Sequence, residues 1–350
     1  MYHPRRASLL LLPFASALLS RDAAAAPTAL DVDVHYTHAC ATTSCGDALC
    51  WGDNGFGQAT SRIIPRGQLT PPPRYTSITT GLLHTCSIMS SRVVACWGDN
   101  SSGQRTPPPQ FATASLNPGY SPAEIDAGWF HTCATTGYGS LACWGDDSSG
   151  QSSPPAAPFD DDYVWVDVSA GAWHSCGLMV DGRIACWGAD DDDQSFGHAI
   201  IDEAWLLPNE EFVDVEVGDQ HSCALTDHGH IYCWGSNDDG QLYDAQNDFD
   251  WAEVVPGFYR ATTIEFDRLV VGAVGTCGFA GAQSVCWGAP FDTGAPYLPP
   301  AGSPSDAAYV ANFGCKIDGA GGLSCWGYGP SAPSLGSSCG LTLTRPRLGG

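Results

Sequence analysis

Apolar and polar residues alternate along this chain in short runs, as in Tyr163-Val-Trp-Val-Asp-Val-Ser169 and Glu211-Phe-Val-Asp-Val-Glu-Val217, and no segment sustains a period of 3.6 residues. Alternation with a period of two places successive side chains on opposite faces of an extended strand, so these runs predict strands with one buried face. Each run is followed by two shorter apolar arms around a turn and then by polar turn residues. Prolines follow in several places, at Pro71 to Pro73, Pro107 to Pro109, Pro154 and Pro155. The elements predicted are strands and tight turns throughout.

The pattern also repeats. Cys-Trp-Gly occurs seven times, with its Trp at positions 51, 97, 144, 187, 234, 287 and 326. The intervals of 46, 47, 43, 47, 53 and 39 residues match all-β repeats of roughly 40–50 residues, which assemble as propeller blades. The fold class expected is all-β, a seven-bladed β-propeller. One ring also explains why no linker divides the mature chain.

A second cysteine precedes each Cys-Trp-Gly, by ten residues six times and by nine at Cys277 and Cys286. The segment between reads as a β-hairpin, as in Cys176-Gly-Leu-Met-Val-Asp-Gly-Arg-Ile-Ala-Cys186. Gly46, Gly139, Gly182, Gly229 and Gly321 stand six residues after the first cysteine. A three-residue loop closing on a bulge needs a left-handed residue there, which Gly adopts at little cost. Arg92 holds that place in the second repeat, against the rule. In the nine-spaced repeat, Gly281-Ala282 suits a two-residue type II′ turn.

Pairing the arms in this register sets the two cysteines opposite each other, within disulfide reach. The expected crosslinks are Cys40–Cys50, Cys86–Cys96, Cys133–Cys143, Cys176–Cys186, Cys223–Cys233, Cys277–Cys286 and Cys315–Cys325, one per blade. Each closes a loop of about eleven residues and stabilises by at most roughly 2–3 kcal/mol in the chain-entropy description. The two remaining cysteines are expected to pair as Cys45–Cys339, stapling the first repeat to the tail and closing the ring. Zinc is the alternative, because His-x-Cys occurs at His38, His84, His131, His174 and His221. Zinc sites usually use tightly spaced Cys pairs, and disulfides are preferred on that ground.

The stretch Gly128-Trp-Phe-His-Thr-Cys133, then Leu141-Ala-Cys-Trp-Gly145, then Gly150-Gln151 resembles the repeat of the regulator-of-chromosome-condensation family. Val94-Ala-Cys-Trp-Gly-Asp-Asn-Ser-Ser-Gly-Gln104 is similar to the bacterial branch of that family, which includes a secreted β-lactamase inhibitor protein. The resemblance implies seven blades of four strands, with Gln58, Gln104, Gln151, Gln194 and Gln241 bonding backbone between blades. Cysteine replaces the usual apolar residue after His-Thr and the residue before Trp-Gly. Gly275 and Phe313 stand where His is expected, and Asp193 replaces the Gly of Gly-Gln. The Trp of each Cys-Trp-Gly is expected to fill space between blades, and the five histidines to be satisfied strand residues.

Composition narrows the setting. Arg5 and Arg6, an apolar run from Ala7 to Ser20 and Ala24 to Ala26 form the pattern of a secretory signal peptide over residues 1–26, leaving 27–350 as the propeller. The run is too short to span a membrane; a buried N-terminal helix is the other reading. Sixteen cysteines agree with export to an oxidising compartment, extracellular or periplasmic. With a net charge of −24 and Lys316 as the one lysine, nucleic acid and anionic membrane surfaces are poor partners. Nucleotide exchange on a cytosolic GTPase is not expected of an exported, acidic chain. A monomer is expected.

No catalytic signature stands out, and no cofactor or metal is expected. Asp146-Asp147, Asp190 to Asp193 and Asp238-Asp239 lack the calcium-loop spacing and read as turn formers. Carboxylates are plentiful enough for glycoside chemistry, yet no pair breaks the repeat pattern. The function expected is protein or peptide binding outside the cell, with a glycan-binding or glycan-cleaving propeller and a cell-surface structural module as alternatives. The residues between the repeat Gly and His vary inside the repeated frame: Tyr36, Leu82, Leu83, Trp129, Phe130, Trp173, Asp219 and Gln220. They are expected to emerge on one side of the ring as the partner surface, with Trp129 and Trp173 as anchors. The alternative is that they pack against the preceding strand.

Overall fold

The computed structural model describes residues 27–63, 74–113, 118–155, 164–196, 200–243, 251–255, 257–261, 264–281, 283–288, 306–310, 313–327, 331–332 and 335. The signal peptide expected over residues 1–26 lies outside them, as does Cys339 of the expected Cys45–Cys339 staple. Seven antiparallel sheets follow one another in chain order. Blade 1 is Ala29–Val34, His38–Thr43 and Ala48–Gly52; blade 2 is Thr79–Thr80, His84–Ile88 and Val94–Gly98. Blade 3 is Pro122–Ala127, His131–Thr136 and Leu141–Gly145. Blade 4 is Trp165–Ala170, His174–Met179 and Ile184–Gly188, with Ile200–Ile201 as a fourth strand. Blade 5 is Phe212–Val217, His221–Thr226 and Ile231–Gly235, extended by Phe258–Ala261 and Trp251–Val255. Blade 6 is Arg268–Val271, Gly275–Ala280 and Gln283–Gly288, and blade 7 is Asp306–Val310, Phe313–Ile317 and Leu323–Gly327. Four-stranded blades were the expectation. Among the described residues the outer strand forms in blades 4 and 5 and shrinks to the single bridge Ala48–Arg62 in blade 1.

The hairpin register is the one that the turn residues predict. Cys40 lies opposite Cys50, Cys176 opposite Cys186 and Cys277 opposite Cys286. Seven hairpin disulfides form with Cα atoms 4.0–4.1 Å apart, and no cysteine among the described residues is free. Such crosslinks persist in an oxidising, non-cytosolic environment. The five turn glycines have φ between +77° and +85°, and Arg92 adopts the same left-handed geometry at +65°. The turn type therefore holds in blade 2, and the arginine carries the strain that glycine avoids. In the nine-spaced hairpin Ala280 pairs directly with Gln283, which leaves the expected two-residue loop.

The blades are joined by a repeated hydrogen-bond seam. Nε2 of His38, His84, His131, His174 and His221 lies 2.7–3.0 Å from the hydroxyl of Thr85, Thr132, Ser175, Ser222 and Thr276 on the next blade. Each hydroxyl donates its one proton to the backbone carbonyl of Gln58, Gln104, Gln151, Gln194 or Gln241. It must therefore accept from Nε2–H, which places a proton on Nε2. The same glutamine carbonyls accept Nε1–H of Trp97, Trp144, Trp187, Trp234 and Trp287. The five histidines are completely buried. Burial pushes them down to about 3–4. Apolar side chains fill the rest of each seam, as where Leu178 and Ile184 of blade 4 meet Val215, Tyr232 and Trp234 of blade 5. Blade 1 closes on blade 7 in the same way, Val32 and Val34 packing with Phe313 and Ile317 while Ala29 N–H donates to the Gly321 carbonyl at 2.9 Å.

Candidate functional site

The innermost strand of each blade has one edge without a strand partner, and this edge faces the central channel. Unpaired N–H groups on such an edge need acceptors. They receive them from the neighbouring blade: Asp31 accepts from Ile78 N–H at 2.6 Å, Asp33 from Thr80 N–H at 2.5 Å and Asp126 from Ala170 N–H at 2.8 Å. Ala127 N–H donates to Thr79 Oγ1 and Val217 N–H to Ser169 Oγ, and both hydroxyls pass their protons to Asp126. The acids stand five and seven residues before the repeat His, so alternation carries them to one side of the strand while Val32 and Val34 go to the core.

The result is a channel rich in carboxylates around a cavity of about 270 Å³, lined by Asp31, Asp33, Glu124, Asp126, Asp167, Glu216 and Asp219 among others. Burial, with repulsion from neighbouring acids, raises Asp33, Glu124 and Asp167 to about 7. Glu216, among Asp214, Asp126 and Asp167, is raised well above the usual range, again chiefly by burial. Arg268 is the one basic residue of the inner strands among the described residues. Burial raises Asp214 to about 6, and the Arg268 charge opposes that rise.

At one end of this cavity the loops between the repeat Gly and His converge. Tyr36 of blade 1 donates to Asp219 Oδ2 of blade 5 at 2.6 Å, and Trp129 Nε1–H of blade 3 donates to Asp219 Oδ1 at 3.1 Å. Three alternate blades thus meet over the mouth. The rings of Tyr36 and Trp129 are 6.2 Å apart, those of Trp129 and Trp173 5.7 Å, and those of Phe130 and Trp173 6.0 Å. Burial raises Asp219 to about 6, against the two donors that pull it down. Burial and the Asp219 carboxylate push the Tyr36 phenol up. Tyr36 remains 42% exposed, and Trp129, Phe130 and Trp173 are half-buried.

Close approach of the loops depends on glycine. A Cβ on Gly128 would lie 2.1 Å from the Gly171 carbonyl, and one on Gly171 would lie 2.1 Å from that of Gly218. The frame therefore fixes the glycine and leaves the next two residues free to vary. Of the eight residues expected on this surface, Tyr36, Trp129, Phe130, Trp173 and Asp219 form one cluster. Leu82 and Leu83 stand half-buried on the blade 2 loop, and Leu82 joins through its carbonyl, which accepts from Thr37 Oγ1 at 2.7 Å. Gln220 is exposed beside Asp219. The aromatic side chains pack on one another within blade 3 and across blades 1, 3 and 4. The channel carboxylates were not anticipated; aligning the repeats on their His shows acids five or seven residues upstream in blades 1, 3, 4 and 5.

Among the described residues no group of His, Cys, Asp or Glu is arranged to hold a metal ion, and no helix is long and apolar enough to cross a membrane. The Asp-rich loops use their side chains internally: Asp146 accepts from Gln151 Nε2 and Ser148 Oγ, each at 2.7 Å. Each repeat glutamine also accepts a loop N–H through its Oε1, as Gln151 does from Ser149.

Seven sheets of three to five antiparallel strands around a channel define a β-propeller. The sequence pattern of the Regulator of chromosome condensation (RCC1) repeat matches residues 75–104, 123–151, 165–194 and 212–241, so that four repeats of that family form the cores of blades 2 to 5. A comparison with curated protein sequences finds no match. Among solved structures it is similar to Prp20p of Saccharomyces cerevisiae, a protein described with its binding properties to Gsp1p and histones, at 16% identity and a TM-score of 0.55 over 73% of this chain and 71% of that one. Similar too are the ectodomain of the Arabidopsis thaliana receptor kinase ACR4 (18%, TM-score 0.57, covering 88% and 98%) and human WBSCR16 (14%, 0.59, covering 81% and 84%). At these identities the likeness concerns the fold.

Proposed function

We propose that this protein is a secreted, monomeric binding module that holds a protein or peptide partner on the aromatic mouth of the propeller and catalyses no reaction. The observation that carries this reading is the cluster itself: Tyr36, Trp129, Phe130 and Trp173 come from three blades, converge on one surface and remain partly open to solvent. Rigid aromatic side chains bring large contact area at small entropic cost and dominate binding hot spots. The frame beneath them is fixed by disulfides and the histidine seam, so the surface is preorganised. Export and acidity weigh against the nucleotide-exchange activity associated with the family name, and the secreted bacterial branch is the closer analogy.

A second reading, glycan cleavage by a pair of channel carboxylates, draws support from the raised Glu124 and Asp167. Binding is preferred because Asp33, Asp126 and Asp167 accept N–H groups from the adjacent blade and so act as structural acceptors. The test is photo-crosslinking from a reactive amino acid placed at Leu83 or Gln220 on the mouth, or at Val180 on the opposite hairpin end, in the medium where the protein is exported. A partner captured from the first two positions and not from Val180 supports the reading. Capture from Val180 alone would move the site to the other face.

A further inference from the structure

The aromatic mouth has a charge bias that defines the chemistry of its partner. Two of its four rings, Tyr36 and Trp129, donate to Asp219, the Asp239 charge also acts on Tyr36, and no lysine or arginine lines the cavity below among the described residues. Two polar groups lining that cavity are poorly served by their surroundings. His35 Nδ1 is buried without a hydrogen-bond partner, and the Glu216 carboxylate faces Asp214, Asp126 and Asp167, whose repulsion the one nearby cation, Arg268, only partly offsets. An acceptor-rich pocket of this kind fits a cation that is itself a hydrogen-bond donor.

In the free protein each oxygen of Asp219 takes one neutral donor, the Tyr36 hydroxyl on Oδ2 and the Trp129 indole N–H on Oδ1. A guanidinium offers two parallel N–H groups to both oxygens of a carboxylate at once, and its plane stacks on aromatic faces. It would bring a full positive charge where the two present donors bring none. We propose that the mouth receives an arginine side chain from a basic peptide segment, the guanidinium replacing Tyr36 and Trp129 as donor to Asp219 above Glu216 and His35. This rests on the reading that the aromatic face binds a protein or peptide, and adds which one. Lysine supplies the charge without the planar fork and ranks below arginine. The net charge of −24 would also speed the approach of a basic segment and make it salt-dependent.

The test is calorimetric titration of the full oxidised protein at pH 7.5 with short blocked glycine–serine peptides carrying one central arginine, lysine, citrulline or glutamate. The expected result is saturable binding of the arginine peptide, at least about tenfold tighter than its uncharged citrulline isostere and weaker at high salt. Asp219→Asn and Glu216→Gln should each weaken it by about tenfold or more, while Asp181→Asn on a distant hairpin leaves it unchanged. Glu216→Gln decides the matter if Asp219→Asn does not fold. Equal affinity for arginine and citrulline peptides, or variants within about twofold of the wild type, would overturn the arginine assignment. If those peptides still lose affinity on Trp129→Ala, the face stands as a binding surface and only its partner chemistry is wrong. Absence of binding by any peptide, while Leu83 and Gln220 still crosslink a partner, would likewise remove the arginine alone.

Discussion

Two sets of titratable side chains lie within a few residues of each other on the same blades, and the fold treats them in opposite ways. In the seam between blades, every histidine meets a hydroxyl, every hydroxyl a glutamine carbonyl, and that carbonyl an indole N–H. That chain runs unbroken from Nε2 to the indole, leaves Nδ1 of His84, His131, His174 and His221 buried without a partner, and carries no charge. In the channel, acids of neighbouring blades face one another, burial raises them, and most neighbours raise them further. From blade 1 to blade 6 the seam is the same at each junction because its partners must match. The channel and its mouth differ from blade to blade because the frame asks little of them. Residues that stabilise a repeat protein are the repeated ones, and residues available for recognition are those that the repeat leaves unspecified.

The comparison breaks most visibly at a seam histidine. His174→Ala removes a buried ring and leaves Ser222 without its donor, so a loss of about 2–4 kcal/mol is expected from urea denaturation. The analogous change at Gly275 or Phe313, where the seam has no imidazole, has no such partner to lose.

The next effect is in the channel and has the opposite sign. Asp167 is raised to about 7 in the fold against 3.8 in the unfolded chain. Its contribution to stability is present below about pH 4 and is lost as pH rises through 7, because the folded state holds the proton more tightly. Asp167→Asn should therefore be more stable than the wild type at pH 8, on the order of 1–2 kcal/mol once channel solvent is allowed for, with the gain vanishing by about pH 4. The seam histidines run the other way: lowered from 6.5 to about 3–4, they stabilise above pH 6.5 and lose that contribution as pH falls through their folded values. Between about pH 4 and 6.5 the two slopes oppose, and the wild type should show a shallow pH dependence. A steep acid loss over that interval would mean that the channel acids are not protonated there. The smallest effect expected is Arg92→Gly, which relieves a left-handed arginine away from both regions and should stabilise by about 0.5–1 kcal/mol.

The hairpins, their register and their disulfides were legible in the sequence because they depend on local chemistry: turn residues at fixed offsets and cysteines at fixed spacing. Arg92 and Asp193 departed from the glycine rule in sequence, yet both adopt the left-handed backbone that the rule requires. The surrounding strands impose the turn, and the residue submits to it. The mouth was legible only as a set of positions that vary. That Tyr36 and Trp129 meet on Asp219, 183 and 90 residues away, depends on ring closure, which no local pattern encodes. The channel acids were visible as alternation in Val166-Asp167-Val168-Ser169 and Val213-Asp214-Val215-Glu216, but a strand pattern does not say which polar face turns to solvent and which to an axial channel. Outer strands depend on segments of irregular length between repeats, which carry no periodic signal.

The central claim is that recognition resides at the aromatic mouth while stability resides in the seam. Its most direct test is the affinity of the crosslinked partner for a Trp129→Ala, Trp173→Ala double variant, measured by surface plasmon resonance alongside thermal melting. The account predicts a loss of about a hundredfold or more in affinity, as for paired hot-spot aromatics, with the cooperative melt preserved. Affinity within about twofold of the wild type in a folded variant would contradict it.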